Sequence, residues 1–168
     1  MMSTNDSLAA RARAGDAEAF AELYRQVYQD LYRFALYTLK NPQDAEDAVG
    51  DAVADAFASI KKLRDAGAFR PWIFRILSNK CRRKLKEYLR KTRELPEEIP
   101  WDGKELFENY AVRSAFFDLD SQDRLILSLH LFAGYTSREI GRELNMNENT
   151  VRSRESRALK KLADMLKE

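Results

Sequence analysis

Tyr135-Thr-Ser-Arg-Glu-Ile-Gly-Arg-Glu-Leu-Asn-Met-Asn-Glu-Asn-Thr-Val-Arg-Ser-Arg-Glu-Ser-Arg-Ala-Leu-Lys-Lys161 is the stretch that decides the fold. Thr136 and Glu139 stand at capping-box spacing, which predicts a helix starting at Thr136 and burying Ile140 and Leu144. Asn145 predicts its end, because Asn tolerates the left-handed conformation that closes helices. Asn147 can cap a second helix. Met146 before that cap and Val151 after it are placed to form a hydrophobic staple. Two helices joined by so short a turn make a helix-turn-helix.

The second helix has a readable polar face. At about 100° per residue, Val151, Ala158 and Leu162 share one side, while Asn149, Ser153, Arg157 and Lys160 point the other way. Arg152, Arg154 and Lys161 flank that side, and Thr150 joins the candidate set. Short hydrogen-bonding side chains bordered by cations suit a helix in a DNA major groove, where polar groups read base edges and cations hold phosphates. A merely solvated amphipathic helix would carry a similar pattern.

The chain has 168 residues, enough for one large or two small domains. Its 45% hydrophobic and 33% charged residues allow a buried core and exclude a disordered chain. The formal net charge of +2 says little by itself, so the distribution of charge must carry the argument. The single cysteine, Cys81, forbids an internal disulfide and a Cys-based zinc site. The single histidine, His130, lies in an apolar run and reads as a partly buried helix residue rather than a metal ligand or general base. No stretch is long and apolar enough to span a membrane, and the N-terminus lacks a signal-peptide pattern, so a cytoplasmic protein is expected.

Upstream, the residues to about Asp16 are polar and Ala-rich and read as partly frayed. Phe20, Leu23, Val27, Leu31, Phe34 and Leu39 recur at helical spacing, with Tyr24, Tyr28, Tyr32 and Tyr37 widening the apolar surface. Asn41-Pro42 caps and opens a new helix, expected from Pro42 to Lys62. Its core face is Ala45, Val49, Ala52, Val53, Ala56, Phe57 and Ile60. The opposite face carries Asp44, Asp47, Asp51 and Asp55, a stripe that repels itself. It reads equally as a solvated face or as a docking surface for a basic partner. After a loop from Leu63 to Ala68, a helix from Phe69 to Lys91 turns strongly basic in its second half. An acidic helix followed by a basic one suggests one cationic and one anionic partner. Thr92 to Gly103, rich in Glu and Pro, reads as a flexible linker. Leu106 to Leu119 should be an apolar helix. Ser121 should cap another, with Leu125, Ile126, Leu129 and Phe132 facing inward and Gly134 at its end. The fold class expected is all-α, with two small helical domains: residues 1–91, a linker at 92–104, and residues 105–168.

In this order the chain resembles the extracytoplasmic-function (ECF) sigma factors of the sigma-70 family, over about Phe20 to Leu166. Three segments carry the resemblance: Asp44-Ala-Glu-Asp-Ala-Val49, Phe69-Arg-Pro-Trp-Ile-Phe-Arg-Ile-Leu-Ser-Asn79 and Thr150-Val-Arg-Ser-Arg-Glu-Ser-Arg-Ala158. It implies a transcription initiation factor that binds core RNA polymerase and directs it to promoters. The Asp stripe would dock on the β′ clamp helices, and the β flap would be a second polymerase contact. The loop from Leu63 and the following helix would meet the opened −10 element, through Leu63, Arg64, Phe69, Trp72, Arg75, Asn79, Arg82 and Arg83. The helix-turn-helix would read the −35 element. An anti-sigma factor would be a further partner, with no cofactor, metal or small-molecule substrate. Four positions depart from the family pattern: Gly50 inside a helix, Leu63 at the loop entrance, Asn145 in the turn, and Glu155 on the apolar face of Val151 and Ala158. A helix-turn-helix regulator acting apart from polymerase is the alternative. An enzyme is excluded by the lack of a phosphate-binding loop, a ligand cluster or a convergent carboxylate pair.

Overall fold

The computed structural model describes residues 3–90 and 110–167. Among these there are eight α-helices and no strand. The N-terminal unit holds α1 (Thr4–Arg13), α2 (Ala17–Leu39), α3 (Pro42–Ala58) and α4 (Phe69–Arg90). The C-terminal unit holds α5 (Tyr110–Phe117), α6 (Ser121–Leu131), α7 (Ser137–Leu144) and α8 (Glu148–Leu166). The expected linker, Lys91, and residues 106–109 of the expected apolar helix lie outside the described residues.

Local chemistry sets most boundaries. Asn41 accepts from the Asp44 amide and Pro42 opens α3. Asp16 caps α2, which ends on Lys40 in the left-handed conformation at φ 61°. The helix expected to reach Leu119 ends at Phe117, and three further boundaries differ from expectation. Residues before Asp16 are not frayed: Ser3 and Asp6 form a reciprocal capping box, and α1 buries Ala9 and Ala12. Helix α3 stops at Ala58, where the Ser59 hydroxyl donates to the Asp55 carbonyl at 2.6 Å and the chain tightens into a 3₁₀ turn, Ile60–Lys62. The cap of α6 is Asp120, not Ser121, because the Asp120 carboxylate takes the Asp123 amide at 2.8 Å.

Helix α2 is the hub, packed against α1, α3, α4, α5 and α6. Its Leu31, Phe34 and Leu39 share one apolar core with Ile73 and Phe74 of α4 and with Ile126 and Leu129 of α6. The two units therefore meet along a seam. There Tyr37 lies among the rings of Phe116, Phe117 and Phe132, with centroids 4.4, 5.5 and 5.1 Å away. Such aromatic contacts add to the area they bury.

Polar groups fix the same seam. Arg124, 2% exposed, donates to the carbonyls of Tyr37, Thr38 and Leu119 at 3.1, 3.3 and 2.6 Å. Burial pulls its guanidinium down to about 10, so it still carries its charge at neutral pH. Arg70 donates to Asp30 at 3.0 Å and to the Phe132 carbonyl at 2.7 Å. Arg75 pairs with Glu143 at 2.7 Å.

Candidate nucleic-acid interface

The helix-turn-helix forms as its residues predict. Thr136 and Glu139 satisfy each other's backbone amides, Asn145 sits at φ 55°, and Asn147 accepts from the Asn149 amide. Val151, Ala158 and Leu162 are buried. That phase leaves Asn149, Thr150, Arg152, Ser153, Arg157, Lys160 and Lys161 exposed. Arg152 bonds Glu148 one turn back at 2.7 Å. The Arg157 Nε reaches the Ser153 carbonyl at 3.3 Å, which folds this side chain along the helix surface.

Arg154 is engaged elsewhere. It donates to Asp123 at 2.9 Å, Gln122 at 2.6 Å and Asp120 at 3.4 Å, bracing α8 against the start of α6. Glu155 accepts from the Ser137 hydroxyl at 2.9 Å. This places its carboxylate beside the first turn of α7, where the helix dipole favours negative charge. One oxygen of this carboxylate is thereby satisfied, while its Oε1 stays buried without a hydrogen-bond partner among the described residues.

The residues expected at the −10 element divide into three sets. Leu63 and Phe69 are buried in the core. As apolar side chains packed inward, they fix the loop. Arg64, Trp72 and Arg75 line a cleft of ≈ 370 Å³ whose far wall is Tyr135, Glu139 and Glu143 of the C-terminal unit. Arg64 and Arg75 are exposed and Trp72 is half-buried. Asn79 and Arg83 lie outside that cleft, in a groove shared with Lys62, Lys80 and Asp55. Arg82 is half-buried and donates to Asn79 at 3.4 Å.

The acidic stripe of α3 is not uniform. Asp44 accepts from the Tyr88 hydroxyl and lies 4.0 Å from Lys84. Burial, and then the bond to Asp44, raise the Tyr88 phenol well above its ordinary range. Asp55 pairs with Lys80 at 2.6 Å. Asp47 and Asp51, in the middle, are exposed. The ends of the stripe thus pair with α4, Asp55 while remaining exposed, and among the described residues its centre faces solvent without an ion pair to α4.

His130 is on the exposed side of α6, with its ring Nδ1 3.0 Å from the Tyr135 carbonyl. It is less buried than its apolar neighbours suggest, because it follows the last inward turn of the helix. Buried Arg124 and the seam arginine Arg70 are residues that sequence reasoning missed.

Comparison with known proteins matches both units. Residues 23–94 match the family profile of Sigma-70 region 2, and residues 115–164 that of Sigma-70, region 4. The chain is 31% identical to the ECF RNA polymerase sigma factor SigM of Mycobacterium tuberculosis (strain ATCC 35801 / TMC 107 / Erdman) over 166 residues, 97% of this chain and 85% of that protein. It is 30% identical to RNA polymerase sigma factor SigV of Bacillus subtilis (strain 168), covering 79% of this chain and 81% of that one. In fold it resembles the sigma factor RpoE solved with the anti-sigma factor NepR from Bartonella quintana. That likeness has a TM-score of 0.73 at 21% identity, over 90% of this chain and 98% of that one. CnrH, solved with the cytosolic domain of CnrY, gives a TM-score of 0.66 at 24% identity, over 98% of each chain. The chain belongs to the ECF RNA polymerase sigma factors of the sigma-70 family. It is a sigma factor of transcription initiation, a polymerase subunit without catalytic activity of its own. The reading as a regulator acting apart from polymerase is thereby set aside.

Proposed function

We propose that the two units, residues 1–91 and 105–168, divide the work of promoter recognition. The first would hold core polymerase and the −10 element, and the second the −35 element. Core docking falls to Asp47 and Asp51 of α3, the carboxylates left to solvent, facing the β′ clamp helices; the β flap would meet the second unit. Contact with the opened −10 element falls to Arg64, Trp72, Arg75, Asn79 and Arg83. The −35 element is read by α8 through Asn149, Ser153 and Arg157, with Arg152, Lys160 and Lys161 on phosphates. The observation that carries this reading is the exposed polar and basic face of α8, set by the burial of Val151, Ala158 and Leu162. An anti-sigma factor is the further partner, as in the RpoE–NepR complex. Among the described residues no helix is long and apolar enough to cross a membrane, and the proposed site of action is the cytoplasm, with polymerase.

Base readers and phosphate anchors fail differently, which makes α8 testable. Lys161→Ala should weaken binding to every sequence alike and lower the salt slope by about one unit. Arg157→Ala should cost about 1–3 kcal/mol at one base position and relax specificity there. Transcription from promoters randomised across the −35 element, with both variants side by side, separates the two. Uniform loss from both would make Arg157 another anchor, and no loss from either would take α8 out of the groove.

The docking surface has its own test. Asp47→Lys with Asp51→Lys should weaken core binding by tenfold or more. Exposed substitutions usually cost within about 0.5 kcal/mol, so the fold should persist. Titration of labelled core polymerase measures the affinity, and thermal unfolding controls for the fold. Unchanged core affinity would remove these carboxylates from the interface.

A further inference from the structure

Helix α1 lies before the stretch that matches region 2, yet it is built against that region's loop. It packs on both 3₁₀ turns that flank the loop, Ile60–Lys62 and Ala66–Ala68. Arg13, in the last turn of α1, sends its Nη1 to the carbonyls of Leu63 at 3.0 Å and Arg64 at 3.2 Å. Inside the loop, the amides of Lys62 and Leu63 bond back to Ser59 and Ile60, and those of Gly67 and Ala68 turn onto Asp65. These local bonds shape the two ends of the loop. The middle, where the chain runs extended through Leu63, is held by the buried Leu63 side chain and by Arg13, which alone among the described residues reaches the carbonyls of Leu63 and Arg64 from another element.

The helix that carries Arg13 is itself pinned. The Ser3–Asp6 capping box secures its start. At its end Arg11 grips Asp16, the cap of α2, through Nε at 3.0 Å and Nη2 at 2.7 Å. Ala9 and Ala12 are buried in the main core, so α1 approaches the N-terminal bundle closely. A charged donor on two carbonyls of a short loop, mounted on a helix that packs into the core through Ala9 and Ala12 and is tied to α2 through Arg11 and Asp16, adds strong bonds to those of the loop's own turns.

We infer that α1 is a positioning element for the loop, with Arg13 as its positioning residue. It sets the exposed Arg64 side chain and the adjoining wall of the cleft for single-stranded DNA before DNA arrives. This rests on the proposed role of the loop at the opened −10 element. Pre-ordering the loop removes an entropic cost that binding would otherwise bear.

The test uses the full chain assembled with core polymerase, and a forked promoter template whose −10 non-template strand is already single-stranded. Arg13→Ala should lower affinity for this template by about tenfold, the loss expected of a hydrogen bond from a charged group. It should leave core affinity unchanged. Hydrogen exchange at the amides of residues 62–68 should quicken in the same variant. Arg13→Lys should recover most of both effects, because a single nitrogen makes both bonds. Unchanged exchange in Arg13→Ala would overturn the inference. So would faster exchange with undiminished template binding, provided that Arg64→Ala weakens that binding. If Arg64→Ala has no effect on the forked template, the −10 reading of the loop falls, and the inference falls with it. Equal template loss in Arg13→Ala and Arg13→Lys would also overturn it, since a holding bond that Lys can make would then be irrelevant.

Discussion

Arg124→Met should destabilise the protein by about 3 kcal/mol, because each buried carbonyl left without a donor costs roughly 1–3 kcal/mol. Arg124 serves the carbonyls of Tyr37, Thr38 and Leu119 at once. Met keeps most of the apolar stem and so isolates the loss of the guanidinium from the loss of packing. Lys should rescue little, since one ammonium cannot reproduce a planar fork with donors aimed at several acceptors. The loss has a ceiling. The Leu119 carbonyl belongs to the C-terminal unit, but those of Tyr37 and Thr38 belong to α2. Once the cost of leaving these unpaired exceeds what holds α6 on α2, the units separate and water reaches the carbonyls. Denaturant unfolding measures the first effect, and small-angle scattering should detect the second as a larger radius of gyration. A loss below about 1 kcal/mol with unchanged dimensions would show that water replaces the guanidinium without cost.

What could be read from the residues divides by distance along the chain. Thr136 with Glu139, Asn145 and Asn147 act within one turn, so their spacing alone announces the helix-turn-helix and the structure forms it. The same physics pairs Ser3 with Asp6, yet the sequence there reads as a frayed end. Its buried face is Ala9 and Ala12, small residues that leave almost no hydrophobic periodicity to detect. At Asp120-Ser121 two good caps are adjacent, and only the bond to the Asp123 amide decides between them.

Pairings across long sequence separations left no local trace. Arg75 meets Glu143 and Arg124 meets Tyr37 because two units pack together, and an arginine in a sequence looks like a surface residue. For the same reason the acidic stripe of α3 looked uniform. Its spacing is regular, but Lys80, Lys84 and Tyr88 of α4 take its two ends and leave Asp47 and Asp51 in the middle. Leu63 and Phe69 were expected to face DNA through a family resemblance, while their own apolar character pointed inward, and they are buried.

Gly141→Ala and Gly50→Ala make the same chemical change inside a helix and should have opposite signs. Gly50 is exposed on α3, and a Cβ built there meets nothing within 4 Å. Alanine restores helix propensity at no steric cost, so Gly50→Ala should stabilise by roughly 0.5–1 kcal/mol. Gly141 gains the same propensity on α7, but there a Cβ would stand 2.7 Å from the Met146 carbonyl oxygen. That contact is with backbone, so no rotamer change relieves it. The chain after α7 folds back onto Gly141: its carbonyl accepts from the amide of Asn145 and, at 2.8 Å, from that of Met146. Making room for the methyl group moves Met146, and with it the Asn147 cap that starts α8. Overpacking a tight contact typically costs about 1–3 kcal/mol, and the lost turn bonds put this site at the upper end of that range. Since α8 is hung from this turn, Gly141→Ala should also reduce binding to −35 DNA by more than its effect on the folded fraction explains. Thermal unfolding of both variants, with DNA titration at a temperature where both are folded, measures the contrast. A Gly141→Ala protein as stable as the parent would mean that the turn yields by several tenths of an ångström without cost, and the angle between α7 and α8 would then not depend on this contact.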